Sequence, residues 1–113
     1  MRALRLIGDR KLELAEVPDP AAPAEGEVQV RIKAVGLNHL DLWGFRGMAF
    51  AKRQLPLVVG AEASGEIAAV GPGVSQFKPG QKVVMYGAMT CGKCVNCREG
   101  RDNLCENVGG VLG

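Results

Sequence analysis

The chain has 113 residues, with 14 basic against 12 acidic side chains and a formal net charge of +2. This length fits one small domain, and the balanced charge gives no electrostatic case for binding nucleic acid or an anionic membrane. The first residues lack the apolar core of a signal peptide, and no apolar run is long enough to span a bilayer. We therefore expect a cytoplasmic protein with neither nucleic acid nor a membrane as partner.

Alternating segments and turn-forming residues predict a mainly β fold. Residues 2–7 and 12–17 flank a short polar turn, which is typical of a β-hairpin. Residues 27–35 alternate apolar and polar side chains and predict a strand with its apolar residues on one face. Further strands are expected at 56–60, 64–71 and 82–86. Such short strands with long connections favour a small β-barrel or sandwich.

The segments between these strands predict one short helix and two turns. Residues 37–48 favour a helix or turn that Asn38 can cap, with Leu40, Trp43 and Phe45 facing inward. Turns are expected at 71–73 and 78–81, where proline and glycine occupy positions that suit their backbone angles.

The four cysteines form the clearest chemical motif of the chain. They are Cys91, Cys94, Cys97 and Cys105. Four thiolates at this spacing can surround one zinc ion, and a site without an open position is structural, not catalytic. Disulfides would need an oxidising compartment, iron–sulfur sites usually show a tighter run ending in Cys-Pro, and redox thiols usually come as a single Cys-x-x-Cys. The spacing therefore predicts one structural zinc ion.

The surroundings of the cysteines offer two kinds of support for a negatively charged zinc–thiolate site. Backbone amides around Gly92 and Lys93 are expected to donate hydrogen bonds to the first sulfurs. The side chains of Lys93, Arg98 and Arg101 either offset the charge of the site or form a solvated face of the loop.

Several segments in order resemble one family. VQVRIKAVG (28–36), NHLDLW (38–43) and PLVVGAEASGEIAAVGPGVSQFKPGQKVV (56–84) precede the cysteine loop. Together they closely resemble the N-terminal, GroES-like domain of medium-chain dehydrogenases/reductases, the superfamily of zinc-type alcohol dehydrogenases and quinone oxidoreductases. The resemblance covers essentially the whole chain. It implies a partly open β-barrel with a zinc-binding cysteine lobe, and a complete enzyme that is a homo-oligomer, uses NAD(P)H and acts on a small molecule.

Two positions depart from the zinc enzymes of this family. Those enzymes have a cysteine ligand of catalytic zinc where this chain has Asn38, and a histidine ligand where Ala61 follows Gly60. Asparagine is a poor zinc ligand and alanine is none, so no catalytic zinc is predicted. The pattern is similar to the zinc-independent quinone oxidoreductase branch, although that branch generally lacks the four-cysteine lobe. A catalytic metal held by His39 and Glu62 is disfavoured because neither stands at a family ligand position.

The candidate catalytic residues are Asn38, His39 and Asp41. The resemblance implies hydride transfer to an enone, quinone or carbonyl, and without zinc the developing oxyanion needs hydrogen-bond donors. Asn38 can donate through its amide, and a histidine can donate or relay a proton. Structural alternatives remain open: a helix cap for Asn38, structural hydrogen bonds for His39 and Asp41, and a structural role for Glu62.

No cofactor-binding residue is predicted in residues 1–113. Gly71-Pro72-Gly73 lacks the third glycine and the helix of a dinucleotide-binding fingerprint, and residues 109–113 cannot open such a helix. The family binds its cofactor on a Rossmann domain, which we expect downstream. The chain is therefore interpreted as the N-terminal domain of a longer enzyme, inactive alone. The alternative is a free-standing, zinc-stapled interaction module without catalysis.

Overall fold

The computed structural model describes residues 1–47, 54–108 and 110. The elements in chain order are β1 (Arg2–Gly8), β2 (Lys11–Glu16), β3 (Val28–Gly36), α1 (His39–Phe45), β4 (Leu57–Val58), β5 (Glu62–Val70), β6 (Lys82–Val84), α2 (Val95–Arg98) and a 3₁₀ turn at Asp102–Leu104. Neither helix in these residues has the length and apolar character needed to cross a membrane. Met48 of the predicted helical segment and most of the terminal glycine segment, 109 and 111–113, lie outside the described residues.

The strands form two three-stranded antiparallel sheets, in the orders β2-β1-β4 and β3-β5-β6. The hairpin predicted over the first residues is confirmed, and Arg10 in its turn has a φ of 58°. The Arg10 amide donates to the Phe45 carbonyl at 2.6 Å, which ties the hairpin to the end of α1. The predicted mainly β fold is confirmed, with the two sheets left unclosed.

Strand β3 pairs with β5 from Val28↔Val70 to Gly36↔Glu62. The register shifts between Gln29 and Val30 and again between Ile32 and Ala34. An inserted residue interrupts the pairing and bends the strand, so strict alternation of faces is lost. The strand predicted over 27–35 is confirmed as Val28–Gly36. The residue inserted between Ile32 and Ala34 interrupts the predicted alternation, and residues 31–35 are all exposed.

The two predicted turns place β5 and β6 side by side. The Gln81 amide donates to the Lys78 carbonyl at 3.1 Å, and Gly80 has a φ of 86°, as a turn with proline before glycine requires. Gly73 has a φ of 78° in the other turn. Strand β6 ends at Val84, two residues earlier than predicted, and Tyr86 beyond it is 62% exposed.

The buried core of the described residues is small. Its buried apolar side chains are Ala3, Leu6, Ala61 and Ile67. Larger side chains such as Leu14 and Val84 are exposed. A small domain buries a low fraction of its surface, so a metal that cross-links distant residues has a large effect on its stability.

Gly71, where β5 ends, illustrates how close the packing is around the proline-rich loop. Its amide donates to the Glu27 carbonyl at 2.8 Å, and a Cβ here would fall on the backbone carbonyl oxygen of Ala24. We expect Gly71→Ala to lower the free energy of unfolding by about 3 kcal/mol, because backbone atoms cannot step aside as a side chain can. Denaturant unfolding measures the change. Gly8→Ala is the control, since a Cβ at Gly8 meets only the Lys11 side chain, with Cδ nearest at 3.6 Å. Equal losses of stability in the two variants would contradict the steric argument.

Candidate metal centre and substrate site

The cysteine lobe (residues 91–108) is built from two tight turns and two short helical segments. Gly92 and Gly100 have φ values of 67° and 77°, which reverse the chain on either side of α2. Cys94 is the N-cap residue of α2, so Cys97 lies within that helix. The 3₁₀ turn then returns the chain and brings Cys105 back to the first cysteine.

The four cysteines converge on one point. All their Sγ atoms lie within 4.8 Å of one another, and Cys91 Sγ and Cys97 Sγ are 4.0 Å apart. Zinc–sulfur bonds of about 2.3 Å in a tetrahedron place the sulfurs about 3.8 Å apart. The thiols therefore need to move by less than about 1 Å to close on a zinc ion. In the part of the chain that the structure describes, this is the one group of at least three His, Cys, Asp or Glu residues that could hold a metal.

Backbone amides point at two of the sulfurs. Cys91 Sγ accepts hydrogen bonds from the amides of Lys93 at 3.4 Å and Cys94 at 3.3 Å. Cys105 Sγ accepts from the amides of Cys91 and Val108, both at 3.3 Å. The predicted donation from the Lys93 amide is confirmed, and these bonds supply the outer support that zinc–thiolate sites use.

One side chain also donates to a sulfur, and sequence reasoning missed it. Asn107 Nδ2 lies 3.4 Å from Cys91 Sγ. The cysteine spacing carries no signal for this asparagine, since the contact depends on how the loop returns. Of the described hydrogen bonds to sulfur, none comes from the side chain of Lys93, Arg98 or Arg101. Arg101 pairs instead with Glu99, which favours a solvated basic face.

These contacts divide the thiols by their proton affinity. The amides of Lys93 and Cys94, followed by the Asn107 side chain, lower the pKa of Cys91 to about 6. The Val108 amide is the main cause that lowers the pKa of Cys105. Burial, followed by the neighbouring Cys94 thiol, raises the pKa of Cys97 to about 12. The surroundings of Cys97 disfavour its thiolate form. A divalent cation deprotonates the thiols that coordinate it, so a bound metal would stabilise that thiolate.

Asp41 connects the start of α1 to the loop before β5. Asn38 is the N-cap residue, and its backbone amide donates to Asp41 Oδ2 at 2.8 Å. The Gly60 amide donates to Asp41 Oδ1 at 3.1 Å. Both carboxylate oxygens are therefore engaged with backbone, which favours the structural alternative for this residue.

His39 and Trp43 lie on the exposed face of α1. Their rings are 6.3 Å apart between centroids and tilted by 49°. Trp43 is 43% exposed, so the prediction that it faces inward is wrong, whereas Leu40 and Phe45 are half-buried as expected. The cause is helical geometry: the inward stripe follows a period of 3.6 residues and omits position 43. It consists of Leu40, Asp41, Gly44 and Phe45.

The family model for the alcohol dehydrogenase GroES-like domain matches residues 24–113. The chain belongs to this family. A sorbitol dehydrogenase from Bacillus subtilis is 36% identical over 110 residues, which are 96% of this chain and 31% of the relative. An NAD-dependent alcohol dehydrogenase of known crystal structure is 46% identical with a TM-score of 0.87, covering 100% of this chain and 33% of that one.

A third relative is a thermostable alcohol dehydrogenase from Pyrobaculum aerophilum whose structure contains cobalt and zinc. It is 36% identical with a TM-score of 0.82, and the match covers 100% of this chain and 35% of that one. The chain thus spans about a third of the length of these alcohol dehydrogenase relatives. The predicted membership of the zinc-type medium-chain dehydrogenases is confirmed.

Within this GroES-like domain, the two positions that depart from the zinc enzymes lie in the segments that Asp41 joins. Asn38 is the N-cap residue that precedes α1, and Ala61 is buried, with 7% exposure, directly after Gly60. Glu62 is exposed, and its Oε1 lies 2.7 Å from the point that a Cβ on Gly36 would occupy. The structure therefore brings the segments of Asn38, Asp41 and Ala61 together, while the Glu62 carboxylate lies over β3.

An apolar cavity of about 180 Å³ lies between the hairpin and α1. Leu6 and Leu12 contribute from the hairpin and Phe45 from α1, while Asn38 and Asp41 supply its polar lining. This cavity was not predictable from the sequence, because its walls come from the hairpin, α1 and β4, which meet only in the folded chain. The carboxylate of Asp41 is already hydrogen-bonded, so Asn38 is the lining residue with a side-chain amide to offer.

Proposed function

We propose that the chain is the N-terminal substrate domain of an NAD(P)H-dependent oxidoreductase that has a structural zinc ion and no catalytic zinc. The reaction is the reduction of an enone, quinone or carbonyl by hydride transfer. The observation that supports this most directly is the pair of residues at the family's ligand positions. Asn38 caps a helix and Ala61 is a buried methyl group, so neither supplies a metal-binding side chain of the kind zinc prefers.

The cysteine lobe supports the structural part of the proposal. Cys91, Cys94, Cys97 and Cys105 would hold one zinc ion with four sulfurs, which leaves no position for substrate. A reducing cytoplasm would keep the four thiols free for the metal. The ion would cross-link the two ends of the lobe, whereas the chemistry would take place at α1.

The nicotinamide cofactor, held by a domain that we place after residue 113, supplies a hydride when bound. The complete enzyme is proposed to be a homo-oligomer. In reduction of an enone, addition of hydride to the β-carbon would give an enolate with its negative charge on the carbonyl oxygen and the α-carbon, and a proton from solvent would then add to the α-carbon. The charge that develops on oxygen is stabilised by a nearby donor.

The residues of α1 provide that donor and its support. Asn38 would donate its side-chain amide to the developing oxyanion, and His39 on the exposed face of the helix would relay the proton. Asp41 would act on the substrate only indirectly, because its carboxylate oxygens accept hydrogen bonds from the backbone amides of Asn38 and Gly60. The adjoining apolar cavity favours substrates with an apolar portion.

The test uses the protein as its gene encodes it. Zinc per chain is measured by native mass spectrometry, and NADH- and NADPH-dependent turnover is measured with 2-cyclohexenone, a benzoquinone and cyclohexanone. We expect one zinc ion per chain and a higher kcat/KM for the enone or quinone than for the saturated ketone. Two zinc ions per chain with oxidation of alcohols would instead show a metal-dependent alcohol dehydrogenase. A gene that stops at Gly113 and a product that binds no nicotinamide would support the interaction module.

A further inference from the structure

Hydrogen bonds to sulfur in the lobe are concentrated on Cys91, and their origins differ. The amides of Lys93 and Cys94 belong to the same turn as the cysteine. The Asn107 amide group comes from 16 residues further along the chain. In the ranges that the structure describes, Asn107 is the one side chain that donates an N–H to a sulfur, and it does so from the opposite end of the lobe.

A second asparagine fixes the segment from which Asn107 reaches the sulfur. Asn96 in α2 donates its Nδ2 to the Leu104 carbonyl at 2.9 Å and to Glu106 Oε1 at 3.2 Å. On the other side of Asn107, the Val108 amide donates to Cys105 Sγ. Hydrogen bonds within the lobe therefore engage residues on both sides of Asn107, whose side chain contacts Cys91.

We propose that Asn107 is an outer hydrogen-bond donor of the metal site, through which the segment after the fourth cysteine slows the release of zinc. The inference rests on the zinc proposed above. A zinc ion with four thiolates has a net negative charge, and an N–H directed at one sulfur offsets part of it. Without that donor, the bond between zinc and the Cys91 sulfur breaks more easily, and a chelator can then bind the exposed zinc ion. Asn96 is a positioning residue for Asn107.

The experiment measures zinc transfer to the chromogenic chelator 4-(2-pyridylazo)resorcinol from the protein as its gene encodes it, after the zinc content per chain has been determined. Loss of outer donors typically weakens metal binding 10- to 100-fold, and Asn107 is exposed. We therefore expect Asn107→Ala to release zinc about tenfold faster. Asn107→Asp should release it faster still, because a carboxylate keeps the shape but replaces the donor with a negative charge. The matched control is Asn103→Ala, an exposed asparagine of the same lobe that contacts Asp102 through its backbone.

Two further readouts separate a donor from a residue that only fills space. In the cobalt-substituted protein, the sulfur-to-cobalt charge-transfer band should shift in Asn107→Ala and remain unchanged in Asn103→Ala. Asn96→Ala should also speed zinc release, and its effect should add less than fully to that of Asn107→Ala, since both act through one contact.

Three results would overturn the inference. One is release from Asn107→Ala that is no faster than from the unaltered protein, and another is equal acceleration by Asn103→Ala. The third is an unaltered protein that holds no zinc, which the initial metal content reveals and which refutes the proposed metal site itself. If Asn107→Ala is purified without zinc while Asn103→Ala holds one ion, the competition is run with Asn107→Gln, which should release zinc faster than the control.

Discussion

Replacement of Cys105 by serine is expected to abolish stoichiometric zinc binding and to unfold the cysteine lobe. Cys105 joins the two ends of the lobe, since its Sγ accepts hydrogen bonds from the backbone amides of Cys91 and Val108. In small metal-dependent domains, zinc binding contributes about 10 kcal/mol or more to folding, because the site does not exist in the unfolded chain. Native mass spectrometry should show less than one zinc ion per chain, and hydrogen exchange should show loss of amide protection between residues 91 and 108.

The control is Lys93→Ala, which changes an exposed side chain of the lobe but keeps the backbone amide that donates to Cys91. It should hold zinc like the unaltered protein. Treatment of the unaltered protein with a strong chelator should reproduce the hydrogen-exchange pattern of Cys105→Ser and expose four reactive thiols. If Cys105→Ser keeps full protection across the lobe, zinc is not what holds this segment together.

The lobe was predictable because its information is local. The spacing of the four cysteines fixes which residues can meet at one ion, and turns with glycine at positive φ follow from the need to reverse the chain within a few residues. The hairpin and the turn at 78–81 were predictable for the same reason, as each depends on residues close together in the chain. The role of Asn107 as a donor was not predictable, because its contact with Cys91 spans 16 residues and matches no spacing rule.

Predictions that depended on tertiary packing were less successful. A strand pattern over 27–35 did not reveal the two register shifts, which depend on how β3 matches β5. The aromatic character of Trp43 suggested a buried position, yet the inward stripe of α1 is occupied by smaller groups and Phe45. The sequence makes Asp41 a candidate catalytic residue, and only the folded chain shows that both its carboxylate oxygens accept hydrogen bonds from backbone amides.

Replacement of Asn38 by aspartate should separate its role as the cap of α1 from its proposed role as a hydrogen-bond donor to the oxyanion. Aspartate and asparagine are equally good N-cap residues, so the free energy of unfolding should change little if Asn38 only caps α1. The aspartate side chain has no N–H to donate, so the proposed stabilisation of the oxyanion is lost. Removal of one such donor typically lowers kcat about 100-fold. Steady-state kinetics of enone reduction by the protein as its gene encodes it, together with thermal unfolding, measure both effects.

Leu37→Ala serves as a control, since it alters the exposed apolar residue next to Asn38 and keeps the Asn38 side-chain amide. It should change KM more than kcat if the adjoining cavity holds the apolar part of the substrate. If Asn38→Asp retains full kcat, then Asn38 is a cap and the donor must be sought elsewhere. If it loses kcat with unchanged stability, then asparagine at this position acts in catalysis. Asn38, at the position where the zinc enzymes have a cysteine, would then be a hydrogen-bond donor suited to enolates, whose charge is spread over two atoms.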